Sequence, residues 1–504
     1  MHALLTAALA AAPPDVSAAL PDLAAALPDL DATAVEIAGA NLTWALLLAL
    51  LGWTLGLFLA YVVIRERRPP AATMAWIVLV LAFPFVGAVV YLLIGTRKRG
   101  HHQRARLRAP AGFDGLPPAP RSSLAGFADA MAHAAASRSR VDLHAEAGAA
   151  RRALVEVIDG AERELHFVVY TFERDEAGRE VLRALRRACQ RGVTVRLLVD
   201  DLGSWHLGRN HMDRLERSGG RVGRFKPLLA ALRARTANLR NHRKIVVADA
   251  ARAWTGCRNI GAVYLAEHAE QSRWVDLSYT VEGPAAAALD EICRADWAFA
   301  TGEALPPPTV ATLPPAAAPA SPSEPPAARV QVLASGPDHR DDPWHALLLK
   351  AVMTARDRLW IATPYFVPDE AVQHALAVAA RSGVDVRILI PKRSDSRMVD
   401  VVARTYLRDL SRAGARVLRY ETGMMHAKLL IADDEVITGS ANMDARSFFL
   451  NYEVVLHVSD DAALLAALSR WYAHLEARAL PGVRPYPMWR ETLADLARLL
   501  APMM

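Results

Sequence analysis

Residues His242–Asp249 read HRKIVVAD, and residues His426–Asp433 read HAKLLIAD. Both are H-x-K followed, after four residues, by Asp. Each copy has the same tail: TGCRN at Thr255–Asn259 and TGSAN at Thr438–Asn442. After each Lys comes an apolar run: Ile245, Val246 and Val247 in the first copy, Leu429, Leu430 and Ile431 in the second. A short apolar run of this kind predicts a buried strand. His and Lys, two apart, are then expected on one face of it.

The copies belong to a longer repeat. ELHFVVYTF (Glu164–Phe172) matches RLWIATPYF (Arg358–Phe366), GVTVRLLV (Gly192–Val199) matches GVDVRILI (Gly383–Ile390), and GGRVGRF (Gly219–Phe225) matches GARVLRY (Gly414–Tyr420). The offset is about 190 residues throughout, which marks an internal duplication rather than a solenoid. Helical patterns near residues 150–160 and 178–191 alternate with the strands, so each half reads as an α/β sheet covered by helices. Two like halves facing each other about a pseudo-twofold axis would bring both motifs into one cleft. The halves are placed at residues 141–301 and 330–504, with a Pro- and Ala-rich linker at 302–329. His166 reads as a sheet-face residue. The final segment carries Leu493, Leu496, Leu499 and Leu500 at helical spacing and is expected to dock on the body rather than contact the membrane.

Paired H-x-K points to chemistry on a phosphodiester, which is already anionic and repels a nucleophile unless positive charge is near. Lys244 and Lys428 supply that charge to the non-bridging oxygens. Asn259 and Asn442 donate amide hydrogen bonds to the same oxygens. An imidazole titrates near ~6.5, so one of a pair can be neutral and the other protonated near neutral pH. One then attacks phosphorus and the other protonates the leaving alkoxide, a covalent two-step route that calls for no metal or other cofactor. Neither motif has the spacing of a zinc site.

The chain has 504 residues, 53% of them hydrophobic, and a positive mean hydropathy of +0.12, which implies membrane segments. A net charge of +6 suits an anionic partner, either lipid headgroups or nucleic acid. The three cysteines, Cys189, Cys257 and Cys293, form no disulfide framework or metal motif. Residues 1–40 are low in complexity, with prolines at Pro14, Pro21 and Pro28 that discourage a long helix. Leu42–Ile64 and Met74–Ile94 are each long enough to span a bilayer, the second with Pro84 inside it. A transmembrane hairpin, kinked at Pro84, is therefore expected over residues 41–96. The turn holds Arg65, Arg67 and Arg68. The connector after it, residues 97–140, opens with Arg97, Lys98, Arg99, Arg104, Arg106 and Arg108. The longer basic run favours a cytoplasmic catalytic region, against the acidic amino terminus.

The paired motif resembles that of the phospholipase D superfamily. The stretches ERRPPAATMAWIVLVLAFPFVGAVVYLLIG, TPYFVPD (Thr363–Asp369), SDSRMVD (Ser394–Asp400) and GSANMDARSFFLNYE (Gly439–Glu453) make the chain similar to its bacterial cardiolipin synthases. The resemblance implies two phospholipase D-like repeats behind a membrane hairpin, in a multi-pass protein of the bacterial plasma membrane. It implies that two phosphatidylglycerols are joined with release of glycerol, that anionic lipids are the partners, and that nucleic acid is not. It makes His242 the nucleophile and His426 the acid/base. Asp276 in RWVD and Glu453 in FFLNYE become the downstream carboxylates that orient the imidazoles. Asp249 and Asp433 complete the motifs and are expected to brace their loops. Cys257 departs from the pattern, since it stands where the second copy has Ser440. Three rivals share these features: a hydrolytic phospholipase D, a membrane-tethered nuclease and an inactive scaffold.

Overall fold

A computed structural model of the chain describes residues 32–66, 70–95, 107, 110, 115–228, 231, 237–266, 274–307, 327–339 and 341–498. The chain divides into two compact units, Met1–Val89 and Val90–Met504. In the first, helix α1 (Ala32–Arg65) starts well before the expected span, so the end of the low-complexity segment is helical. Its portion Thr43–Arg65 is long and apolar enough to cross a membrane. The second apolar run is not one helix. It forms α2 (Pro70–Ala82) and α3 (Pro84–Ile94), because a proline lacks the amide that would continue the ladder. Neither piece alone reaches the length of a span. Residues 1–31 and the basic run from Arg97 to Arg106, with Arg108, lie outside the described residues.

The second unit is built on strands β1 (Ser137–His144), β2 (Glu164–Val169), β3 (Thr194–Asp200), β4 (Arg221–Phe225), β5 (Ile245–Ala248), β6 (Arg252–Gly256) and β7 (Ser278–Glu282). The later strands are β8 (Ala328–Ser335), β9 (Arg358–Ala362), β10 (Phe366–Val367), β11 (Asp385–Pro391), β12 (Arg416–Tyr420), β13 (Leu429–Ala432), β14 (Glu435–Gly439), β15 (Met443–Asp444), β16 (Glu453–Ser459) and β17 (Ala479–Pro481). Fifteen of them form one sheet, ordered β17-β12-β11-β9-β13-β14-β16-β8-β1-β7-β6-β5-β2-β3-β4. Outward from the β1–β8 seam the two halves read alike: β1, β7, β6, β5, β2, β3, β4 on one side and β8, β16, β14, β13, β9, β11, β12 on the other. The seam pair is antiparallel, with Arg138 opposite Arg329, as a twofold between like halves requires. The fold is therefore α/β, with two similar repeats about a pseudo-twofold axis.

The motif strands sit mid-sheet. β5 pairs with β2 and β6, and β13 pairs with β9 and β14. All four residues of each motif strand are buried, which explains why their apolar runs do not alternate. One apolar cluster crosses the seam, joining Ile245, Leu277 and Val281 to Val330, Leu429 and Val454. His166 is buried opposite Val247 of the first motif strand and bonds Asp290 at 2.5 Å, a core pair that does not line the cavity.

Candidate active site

His242 and Lys244 precede β5 rather than lie in it, and His426 and Lys428 precede β13 in the same way. Each lead-in is tied to the opposite repeat. The His242 amide donates to the Tyr452 carbonyl at 2.8 Å, and the Tyr452 amide donates to Arg240. In mirror fashion the His426 amide donates to the Val275 carbonyl at 2.7 Å, and the Val275 amide donates to Met424. These two bridges place the next residue of each partner segment beside the imidazole. The pairing is crossed: His242 Nδ1 lies 3.0 Å from both oxygens of Glu453, and His426 Nδ1 lies 2.7 Å from Asp276.

The tail of each motif acts in the same way twice. Thr255 Oγ1 donates to the Lys244 carbonyl, and Thr438 Oγ1 to the Lys428 carbonyl. Gly256 and Gly439 have φ of 131° and 149°, and a side chain at Gly256 would meet the Leu277 carbonyl at 2.8 Å. Only glycine fits a positive φ at such close approach. The following position differs between the repeats. Ser440 and Ser447 both donate to Glu453. Cys257 contacts the backbone of Lys428 instead, accepting from its amide at 3.2 Å. Buried Arg258 supplies positive charge behind Asp276.

Asp249 and Asp433 stand apart from the cleft. Asp249 accepts the amides of Glu162, Arg163 and Glu164 at 2.8–2.9 Å, and Asp433 accepts those of Arg356, Asp357 and Arg358 at 2.9–3.0 Å. Each motif thereby clamps the turn leading into the neighbouring strand.

His242, His426, Asn259 and Asn442 line one cavity of about 390 Å³. Asn259 accepts from the Thr171 amide, and its side chain also hydrogen-bonds Tyr264 on the cavity wall. The lysines lie beneath this surface, each Nζ donating to the carbonyl of its own motif histidine at 2.6 Å. The two imidazoles differ. Lys428 Nζ is also 2.9 Å from His426 Nε2, whereas no hydrogen-bond partner meets His242 Nε2 among the described residues.

Burial pushes His242 down to about 4, against the opposing pull of Glu453. Burial and Lys428 together push His426 down to about 3. Both rings are therefore neutral near pH 7, not one neutral and one charged. Burial also lowers Lys244 to about 7. Glu453 and Asp276 feel burial in the opposite sense, but His242 and Lys244 around the first, and His426 and Lys428 around the second, hold both below the usual carboxylate range. An anionic phosphodiester in the cavity would raise the proton affinity of the histidines and restore a cation there.

The family model described as "Cardiolipin synthase, PLD-like domain" matches residues 154–297 and 348–475, and "Phospholipase_D-nuclease N-terminal" matches residues 54–95. A cardiolipin synthase of Geobacillus kaustophilus is 34% identical over 417 residues, covering 79% of this chain and 81% of that protein. The chain belongs to the cardiolipin synthase family. A second family member, from Geobacillus thermodenitrificans, is 33% identical over 472 residues, covering 89% of this chain and 92% of its own. The crystal structure of a phosphatidylserine synthase of Haemophilus influenzae shares the fold, with a TM-score of 0.54, 17% identity, and coverage of 72% of this chain and 95% of that one.

In this family member the cavity wall contains residues that motif spacing does not reveal. Tyr170 meets the His242 ring edge-on at 5.0 Å, and Tyr264 and Trp274 pack on His426 at 5.4 and 5.3 Å. Tyr365 donates to Asp395 at 2.6 Å on the far wall. Arg446 and buried Arg240, which is paired with Asp200, also line the cavity. The sequence signal for Tyr170 and Tyr365 is that both fall near the ends of the matched stretches ELHFVVYTF and RLWIATPYF. Among the described residues no three His, Cys, Asp or Glu side chains converge as a metal site.

Proposed function

We propose that this enzyme transfers a phosphatidyl group from one phosphatidylglycerol to the primary hydroxyl of another through a phosphohistidine at His242. The family makes the chain a phosphatidyltransferase; the named lipids and the covalent residue are the proposal. One observation carries it. Two imidazoles from separate repeats open on one cavity, each with Nδ1 directed at a carboxylate from the opposite repeat. That contact keeps the proton on Nδ1 and the lone pair on Nε2.

His242 Nε2, without a hydrogen-bond partner among the described residues, attacks phosphorus. The bond from phosphorus to the glycerol headgroup breaks, and His426 gives its proton to the departing oxygen. His426 then takes the proton of the acceptor hydroxyl, whose oxygen attacks phosphorus. The P–N bond breaks, which frees His242 and leaves cardiolipin. The Asn259 and Asn442 amides and the charge of Lys244 and Lys428 stabilise the five-coordinate phosphorus in both steps.

By the same reading, α1 and the α2–α3 run anchor the enzyme in the bacterial plasma membrane as a two-pass hairpin with the catalytic region cytoplasmic. Protease accessibility of the catalytic region in sealed vesicles of known sidedness tests the orientation. The reaction is tested with purified enzyme and phosphatidylglycerol in mixed micelles. Cardiolipin and glycerol in equal amounts are expected; phosphatidic acid as the main lipid product would replace transfer by hydrolysis.

A further inference from the structure

The helix Met488–Arg498 is turned inside out relative to an ordinary surface helix. Its body-facing side is the charged one. Glu491 accepts from Arg404 at 2.6–2.7 Å and from Arg408 at 2.8 Å, Asp495 from Arg408 at 3.0 Å, and Arg498 donates to Asp409 at 3.1 Å. Ala494, on that side, is fully buried. Hydrogen bonds from Arg404 hold the Glu491 carboxyl down at about 2, so this edge stays ionised even in acid. At about 100° per residue, Glu491, Ala494 and Arg498 form one stripe, and Trp489, Leu493 and Leu496 form another about half a turn away. The second stripe faces outward: Trp489 is 60% exposed, and Leu493 and Leu496 are each 55% exposed. Met488 at the helix start is 85% exposed. The segment docks on the body as expected, but Leu493 and Leu496 do not make the contact, and Leu499 and Leu500 lie outside the described residues. The helix docks, but through its charges.

We propose that this helix is an interfacial element, laying Trp489, Leu493 and Leu496 into the boundary between headgroups and acyl chains of a bilayer. The four exposed side chains present on the order of 500 Å² of surface, short of the ~800 Å² per partner that a stable protein–protein contact buries. A second copy of the chain is therefore a poor occupant. Trp489 carries the Arg490 guanidinium 4.9 Å from its ring centroid, an aromatic with a cation beside it, as suits an anionic headgroup layer. The body-side acids are neutralised by Arg404 and Arg408, so they do not oppose approach to that layer. The contact brings the catalytic unit to the lipid surface by a route that does not run through α1. It rests on the proposed function only in taking membrane lipid as the substrate.

The test uses the full chain in liposomes of phosphatidylglycerol and phosphatidylethanolamine. Cys189→Ser removes the one partly exposed thiol, since Cys257 and Cys293 are buried. A single polarity-sensitive fluorophore is then placed by Leu493→Cys or, as reference, by Met353→Cys, on a helix elsewhere that exposes its methionine. Doxyl-labelled phospholipid should quench the label at 493 at least roughly twofold more than at 353, with a blue-shifted emission. Equal quenching at the two positions, or none at 493, overturns the proposal. So does a blue shift at 493 that vanishes on dilution without response to doxyl lipid, which identifies a second copy. The triple variant Trp489→Glu, Leu493→Glu, Leu496→Glu should lower the ratio of activity on vesicles to activity on detergent micelles by roughly fivefold or more; an unchanged ratio counts against docking. The quenching needs no turnover. Quenching without cardiolipin formation therefore keeps the docking and removes the transfer reaction.

Discussion

Replacing Glu453 by Gln keeps the size of the side chain but removes the charge that faces His242 Nδ1. The imidazole then loses its fixed tautomer and the partner that opposes desolvation. A fall in kcat of about 10²–10⁴ is expected, as when a buried carboxylate behind a catalytic histidine is neutralised. The pH profile adds a sign. In the proposed mechanism His242 reacts as the neutral base, and its pKa is about 4, so on the acid side kcat/KM should hold well below pH 6. The general acid sets the alkaline side: His426 is held at about 3, so kcat/KM should decline as pH rises above about 4 and fall further near 7, where Lys244 loses its proton. In Glu453→Gln the acid limb moves lower still, because the group that favours imidazolium is gone. Kinetics between pH 4 and 9 check both limbs. A sharper contrast is expected at the matched positions of the motif tails. Ser440→Ala removes a hydrogen bond to Glu453 and should cost roughly tenfold in kcat, whereas Cys257→Ser, whose sulfur contacts only the Lys428 backbone, should stay within about threefold. The histidines, lysines and asparagines were legible because their strings are local and repeated. The crossed pairing was not: Glu453 and His242 are 211 residues apart, and nothing in either string names the other.

Elements explain why each motif ends in Asp. Asp249 and Asp433 adopt left-handed backbone, with φ of 55° and 52°, and their carboxylates gather three amides apiece. Asp433→Ala loses those bonds and puts a methyl at positive φ, so a loss of about 1–2 kcal/mol, or a few degrees in Tm, is expected. Asp433→Asn tolerates the backbone and should recover part of it. Burial alone would raise the Asp433 carboxyl, but the amides of Arg358, Arg356 and Asp357 hold it down. Its contribution is therefore complete above about pH 4 and disappears as pH falls through the lowered folded pKa. The wild-type advantage over Asp433→Asn should shrink below pH 4, as thermal melts would show. Strand and helix types were readable from periodicity, including β13, whose leucines favour helices but which the sheet buries on both faces. The break at Pro84 was legible from the proline itself. The last helix was not: it hides its charges because the partners waiting on the body are Arg404, Arg408 and Asp409.

At the scale of the molecule, the duplication is what makes a site possible at all. Half a site would hold His242 without Glu453, or His426 without Asp276. The β1–β8 seam, the apolar cluster through it and the two crossed bridges build both pairs within one chain. The repeat was visible in the sequence, but that the halves trade carboxylates across the seam was not, since a like-with-like pairing has the same spacing. One chain therefore carries one complete cleft with both histidines. His242→Ala and His426→Ala should each lower turnover by about 10⁴ or more, since nucleophile and acid/base act as a unit. Mixing the two purified variants, or expressing them together, should restore nothing, because neither chain can lend an imidazole to the other's cavity. Recovery towards a quarter of wild-type activity in the mixture would mean that the cleft is completed between chains. The seam described here would then form between copies by exchange of whole repeats. Loss of activity without rescue, alongside unchanged thermal melts of both variants, leaves the single-chain cleft as the unit of catalysis.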